Sequence, residues 1–201
     1  QHGPHLPLST DACINEGIVS LALRRLPAGS SVLVLPALNV GDSLEHTAFA
    51  DTAGVFVNAS FEQIKQTINE CQLNWIQLHG DEDPEFCRSF LSINVKTMKA
   101  LRVKDKSDID RAEDYFTDAV LLDAFDPQKY GGTGLTFNWN IVGHITKRIF
   151  LAGGIHPDNA ADAVKLGVYG IDVCSGVEAE PGKKDHKKMQ ALFDNIRHLR
   201  G

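Results

Sequence analysis

Seven short apolar runs, rich in Val, Ile and Leu and separated by longer segments, constrain this chain more than any other feature of its sequence. They fall at Ser31–Leu38, Gly54–Asn58, Trp75–His79, Val95–Ala100, Ala119–Asp123, Arg148–Gly153 and Gly170–Cys174. Each reads as a strand buried on both faces. The intervening segments have helical spacing, beginning with Thr10–Leu26. Ser60-Phe61-Glu62-Gln63 has the capping-box form, and Ile64, Ile68 and Cys71 then fall on one helix face. Asp83-Pro84 opens the next helix, and Pro157 is expected to open another before Ala160, Ala163 and Val164. Parallel neighbours cannot be joined by a hairpin, so strands of this kind alternating with helices require crossover connections. The fold class is α/β.

A parallel series of this length either closes into an eight-stranded barrel or stays open as a doubly wound sheet. A complete barrel takes about 200–250 residues, and this chain of 201 shows seven strand candidates. The deficit lies at the start, where only a polar, proline-containing lead precedes Thr10–Leu26. No Ser/Pro/Gly-rich linker divides the series, which favours a single domain.

Charge and composition remove several functional classes. With 43% hydrophobic and 23% charged residues, the chain is neither collagenous nor disordered. A net charge of −6 without a basic stripe leaves no electrostatic footprint for nucleic acid. No run approaches the roughly 18–20 apolar residues of a membrane span, and Gln1–His5 has no signal-peptide core, so the chain reads as cytoplasmic. Cys13, Cys71, Cys87 and Cys174 lack metal-ligand spacing and are expected to be reduced core thiols.

In a parallel α/β fold, binding groups collect at the C-terminal ends of the strands. Two ends are glycine-rich: Leu151-Ala152-Gly153-Gly154 and Asp172-Val173-Cys174-Ser175-Gly176. Glycines after a strand let backbone N–H groups approach an anion, so the two turns together suggest a phosphate cradle to which Ser175 adds a hydroxyl. Asp123 ends an apolar strand, where a carboxylate is costly without a role; it is a candidate acid or base, with capping of the next loop as the alternative. His79 ends another strand, either facing a ligand or bonding a loop carbonyl. The loop Asp126–Gly134, glycine-rich and carrying Tyr130, suits a cover over the site.

These residues resemble a known family. Gly54-Val55-Phe56-Val57-Asn58, Gln77-Leu78-His79-Gly80-Asp81, Leu121-Leu122-Asp123-Ala124 and Tyr130-Gly131-Gly132-Thr133-Gly134, then the two glycine turns and Pro181-Gly182-Lys183-Lys184-Asp185, stand in the order found in phosphoribosylanthranilate isomerases. The resemblance implies a (β/α)8 TIM barrel, of which residues 54–201 supply strands three to eight. It implies an Amadori rearrangement of a phosphosugar without metal or cofactor; the expected oligomeric state is a monomer or homodimer, since a missing strand leaves two sheet edges open to self-association. By position in the motifs, Asp123 corresponds to the general acid. Gly153, Gly154, Ser175 and Gly176 fall on the phosphate site, and Gln77, His79 and Asp172 on ligand-facing strand ends.

Residues 1–53 depart from that pattern. The family's Lys-Ile-Cys-Gly-type motif, which carries the base cysteine, and its Ser-Pro-Arg motif for the anthranilate carboxylate are both missing from the sequence. Instead, Gln1-His2-Gly3-Pro4-His5 through Asp11, and on to about Phe49, resembles the metal-binding opening of the creatininase family; by that motif His2 and Asp11 would be metal ligands, but two ligands without the motif's glutamate read as inherited sequence and no working metal site is expected. The expectation is a chimera joined near Ala50–Gly54, its first 53 residues supplying a helix and strand and the barrel lacking its first strand. A metal-dependent amidohydrolase fragment and a non-catalytic phosphosugar-binding scaffold are the alternatives.

Overall fold

In the computed structural model, which describes residues 53–125, 136–143, 145–180 and 183–199, six strands form one sheet. They are β1 (Ala53–Phe56), β2 (Trp75–Leu78), β3 (Lys96–Val103), β4 (Ala119–Ala124), β5 (Arg148–Leu151) and β6 (Gly170–Ile171). All five pairings are parallel, and the order across the sheet is the order along the chain. A doubly wound sheet reverses direction at a switch point. No reversal occurs among the described strands, which is the barrel alternative of the two.

Alternation along the strands divides the core into two layers. One face carries Ala100, Ala119, Leu121, Phe150 and Ala152, with Trp75 and Met98 packed against them. The other carries Ile76, Leu78, Leu101, Val103, Val120, Leu122 and Leu151, which pack on the helices. A parallel sheet is stable only with both faces covered, and here the two sides are filled differently. Alanines and the aromatic rings of Trp75 and Phe150 share the first face with Leu121 and Met98, while branched aliphatic residues meet the helices on the second.

The helices begin where their capping residues stand. α1 (Phe61–Cys71) starts with the expected capping box: Gln63 N–H donates to Ser60 Oγ (3.4 Å), and Ser60 N–H donates to Gln63 Oε1 (2.9 Å). Its Ile64 and Ile68 are buried. α2 (Pro84–Arg88) has proline in its first turn, and Asp83 Oδ1 accepts the Phe86 N–H at 2.7 Å. α3 (Lys106–Asp110) is capped by Asp105 and α5 (His186–Ile196) by Asp185.

Three expectations change in detail. α4 (Ala160–Lys165) begins three residues after Pro157, which lies in a preceding turn. Asn159 closes that turn by accepting the His156 N–H (2.8 Å) and donating to Gly154 O (3.0 Å). β3 runs on to Val103, past the apolar stretch ending at Ala100, because Leu101 and Val103 still fill the helix layer. Of the described cysteines, only Cys87 is fully buried, and burial pushes its thiol up to about 12; Cys71 and Cys174 are half-buried. The strand candidate Ser31–Leu38, the helix candidate Thr10–Leu26, Cys13, His2, Asp11 and the loop with Tyr130 lie outside the described residues. No described helix is long and apolar enough to cross a membrane.

A candidate active site at the strand ends

The side chains of Gln77, His79, Asp123 and Asp172 converge because every second residue of a strand faces the same way. Register carries this from strand to strand: Gln77 pairs with Met98, Ala100 with Leu121, and Leu121 with Phe150. Asp123, two residues beyond Leu121, and Asp172, two residues beyond Gly170, therefore continue the face of Ala100 and Leu121 at its C-terminal edge. Asp123 is 4% exposed and His79 8%. Asp123 Oδ1 accepts the Ala124 N–H at 2.8 Å, and Oδ2 lies 3.4 Å from His79 Nε2.

The imidazole is oriented from its other side. Gln77 Nε2 lies 2.8 Å from His79 Nδ1. With the amide nitrogen as donor, Nδ1 is the acceptor and Nε2 carries the hydrogen that faces Asp123. Nε2 is buried and makes no closer hydrogen bond, so its N–H is held in reserve for a partner at the strand ends.

Asp172 stands close enough to feel both groups. Burial, and after it the charge of Asp123, push its pKa above the usual carboxylate range; His79 and Lys184 act in the opposite direction. The shift has the sign expected of a carboxyl taken out of water next to a second carboxyl. The raised pKa also has a stability consequence. The folded chain binds this proton more tightly than the unfolded chain, so the group's contribution is fully present below its ordinary value of 3.8 and is lost as pH rises through the folded value. Asp172→Asn is accordingly expected to raise Tm at pH 7 by about 2–4 °C, the effect of roughly 1 kcal/mol in a chain of this size. Scanning calorimetry at pH 7 and pH 3.5 checks this, because the gain shrinks at the lower pH.

The glycine turns meet on the next two strand ends. Gly153 and Gly154 have φ of 84° and 61°, a left-handed conformation that other residues rarely adopt. A Cβ added at Gly176 would collide with the Ile155 carbonyl oxygen and come within 3.0 Å of His156 Cα. The turn after β6 is thus seated directly on the turn after β5, and only a glycine fits the contact. Ser175, exposed, begins a short 3₁₀ turn, Ser175–Val177. Gly176→Ala is expected to cost about 1–3 kcal/mol and, under the phosphate-site reading proposed below, to weaken phosphate binding at least about tenfold, the equivalent of about 1.4 kcal/mol. Urea unfolding and calorimetric titration with inorganic phosphate measure the two effects.

The sequence model of the family described as N-(5'phosphoribosyl)anthranilate (PRA) isomerase matches residues 37–195. The chain belongs to this isomerase family. An N-(5'-phosphoribosyl)anthranilate isomerase of Pelobacter propionicus is 48% identical over 148 residues, covering 72% of this chain and 69% of that protein. The crystal structure of phosphoribosyl anthranilate isomerase from Thermus thermophilus superimposes with a TM-score of 0.67 at 32% identity, covering 77% of this chain and 76% of that one. A second isomerase structure, in complex with reduced 1-(o-carboxyphenylamino)-1-deoxyribulose 5-phosphate, superimposes with a TM-score of 0.60 at 34% identity, covering 77% and 75%.

As a member of the phosphoribosylanthranilate isomerase family, the chain has a TIM-barrel-type fold, and β1–β6 form one continuous arc of its parallel sheet. The match starts at residue 37, ahead of the junction expected near Ala50–Gly54, so family likeness extends into the segment read as creatininase-like. Among the described residues, no group of three or more His, Cys, Asp and Glu side chains is placed to hold a metal ion. Cys174 is the described cysteine at a strand end. Burial pushes its thiol up, and Sγ donates toward Glu178 Oε1 at 3.8 Å, so it is held as a thiol.

Two features of the site went unread in the sequence. Lys99, in the middle of an apolar strand, is buried beneath the His79 turn and paired with Glu82. A lysine flanked by Met98 and Ala100 was itself the signal, since a charge in such a run requires a partner. Arg102 sits in register with Asp123 and pairs with Asp81 at 2.6 Å. It lies past the apolar stretch ending at Ala100, so the apolar pattern alone does not place it at a strand end.

Proposed function

We propose that this chain catalyses the Amadori rearrangement of N-(5-phosphoribosyl)anthranilate to the 1-deoxyribulose 5-phosphate aminoketose. In this reading Asp123 protonates the ring oxygen as the furanose opens, and Gln77, His79 and Asp172 line the sugar. Gly153, Gly154, Ser175 and Gly176 hold the phosphate through backbone N–H groups and a hydroxyl. The observation that carries it is the contact of Gly176 with the Ile155 carbonyl, which unites the two glycine turns beside the strand ends bearing Asp123 and Asp172. Support also comes from the related isomerase bound to a reduced product analogue that carries both the phosphate and the carboxyphenylamino group.

The reading divides the chain into residues 1–53, which contribute a helix and strand, and residues 54–201, which contribute barrel strands three to eight, within one domain. It places the protein in the cytoplasm as a monomer or homodimer. A fused, creatininase-like origin for the first residues, with His2 and Asp11 as relics of a metal site, belongs to the same reading and is rejected if the purified chain binds a stoichiometric divalent metal. The decisive experiment measures turnover of N-(5-phosphoribosyl)anthranilate by this chain and by the same chain preceded by a strand bearing the Lys-Ile-Cys-Gly motif. Turnover in both is expected, faster in the second by about two to four powers of ten, the usual worth of a general base. Binding of the reduced product analogue with no turnover in either would make the protein a phosphosugar-binding scaffold instead.

A further inference from the structure

Beneath the turn that carries His79 lies a buried ion pair on the opposite side of the main chain from the candidate site's side chains. Lys99 Nζ and Glu82 Oε2 are 3.0 Å apart, each side chain 3% exposed. The ammonium has three hydrogens, and three acceptors surround it: Leu78 O (3.1 Å), Gly80 O (2.8 Å) and Glu82 Oε2. Leu78 and Gly80 flank His79, so a single cation grips the peptide carbonyls on both sides of the one residue whose imidazole faces Asp123.

Glu82 extends the grip to the neighbouring strand. Its Oε2 accepts the Gly80 N–H at 2.9 Å, and its Oε1 accepts the Asn58 N–H at 2.8 Å. Asn58, just past β1, is held in the left-handed region at φ 53° and accepts the Asp81 N–H through its side chain at 2.7 Å. His79 N–H itself donates to Phe56 O at 2.7 Å. The main chain before, at and after His79 is thereby tied to β1 and β3 at once. Burying two charges is costly in a sheet where an apolar pair would pack as well, and what this arrangement provides that an apolar pair lacks is a directional hold on two carbonyls.

We propose that Lys99 and Glu82 are positioning residues for the isomerase reaction, holding the His79 turn so that Nε2–H is presented to Asp123 and to the sugar. The inference rests on the isomerase reading above for its kinetic consequence and on geometry alone for its structural one. The informative variant is the charge-neutral double replacement Lys99→Met/Glu82→Gln, which leaves no unpaired buried charge.

Two readouts separate positioning from mere support of the fold. Nitrogen NMR of the His79 ring, assigned by its loss in His79→Gln, is expected to show a single Nε2–H tautomer in the parent and tautomer averaging in the double variant. Turnover is expected to fall about tenfold to a hundredfold in kcat, the scale of a misplaced catalytic geometry, with KM within about threefold. A folded double variant with the parent's tautomer and kcat would overturn the proposal. Should the parent have no turnover, the isomerase reading falls alone, and the tautomer measurement still decides this one. Glu82→Gln by itself, which keeps the size of the side chain, carries the same two readouts if the double variant does not fold.

Discussion

Under the proposed isomerase reaction, Asp123→Asn is expected to lower turnover of N-(5-phosphoribosyl)anthranilate by about two to four powers of ten while the chain remains folded. The amide is isosteric with the carboxyl, and its oxygen still accepts the Ala124 N–H now bound at 2.8 Å by Oδ1. The amide cannot give up a proton to the ring oxygen. Removing the Asp123 charge also removes the second largest cause of the raised Asp172 pKa, so the variant is expected to melt no lower than the parent at pH 7. Steady-state kinetics beside a circular-dichroism melt check both halves. Unchanged kcat with unchanged folding would show that the proton comes from elsewhere, and Asp172→Asn would then become the variant to measure.

Lys99→Met alone costs about 3–5 kcal/mol of stability, the penalty for leaving one member of a buried ion pair without its partner. Three hydrogen bonds from Nζ disappear, and Glu82 keeps its charge at 3% side-chain exposure. Restoring neutrality with Glu82→Gln recovers most of the loss. Surface pairs in the same protein give the contrast: Lys106–Asp110 and Lys165–Asp162, both largely exposed, are worth at most about 1 kcal/mol each. Urea unfolding of the single and double variants measures the difference. A loss below about 1 kcal/mol for Lys99→Met, within the range of an exposed pair, would mean that water reaches the pair.

Much of the site could be read from residue order because strand ends in a parallel α/β protein are also where chemistry collects. Asp123 stood out as a charge closing the run Ala-Val-Leu-Leu, and Gly153, Gly154 and Gly176 as glycines following runs that needed none. The Ser60 capping box and the Asp83-Pro84 helix start were legible for a local reason, since each is completed within four residues. The extent of β3 was not. Lys99 and Arg102 break the apolar pattern, and what keeps them in the strand is Glu82 and Asp81, which lie 17 and 21 residues away in the chain.

Residue order alone determined the class of architecture, because a strand apolar on both faces followed by an amphipathic helix has one economical way to bury itself, and it determined which side chains end the strands. Only the tertiary structure decided which of those ends meet. The Gly176 turn rests on Ile155, His79 Nε2 turns to Asp123, and the Lys99 ammonium fills the space beneath. Such contacts depend on strand register and on the space left between neighbouring strands, both properties of the assembled sheet, which no single strand carries by itself.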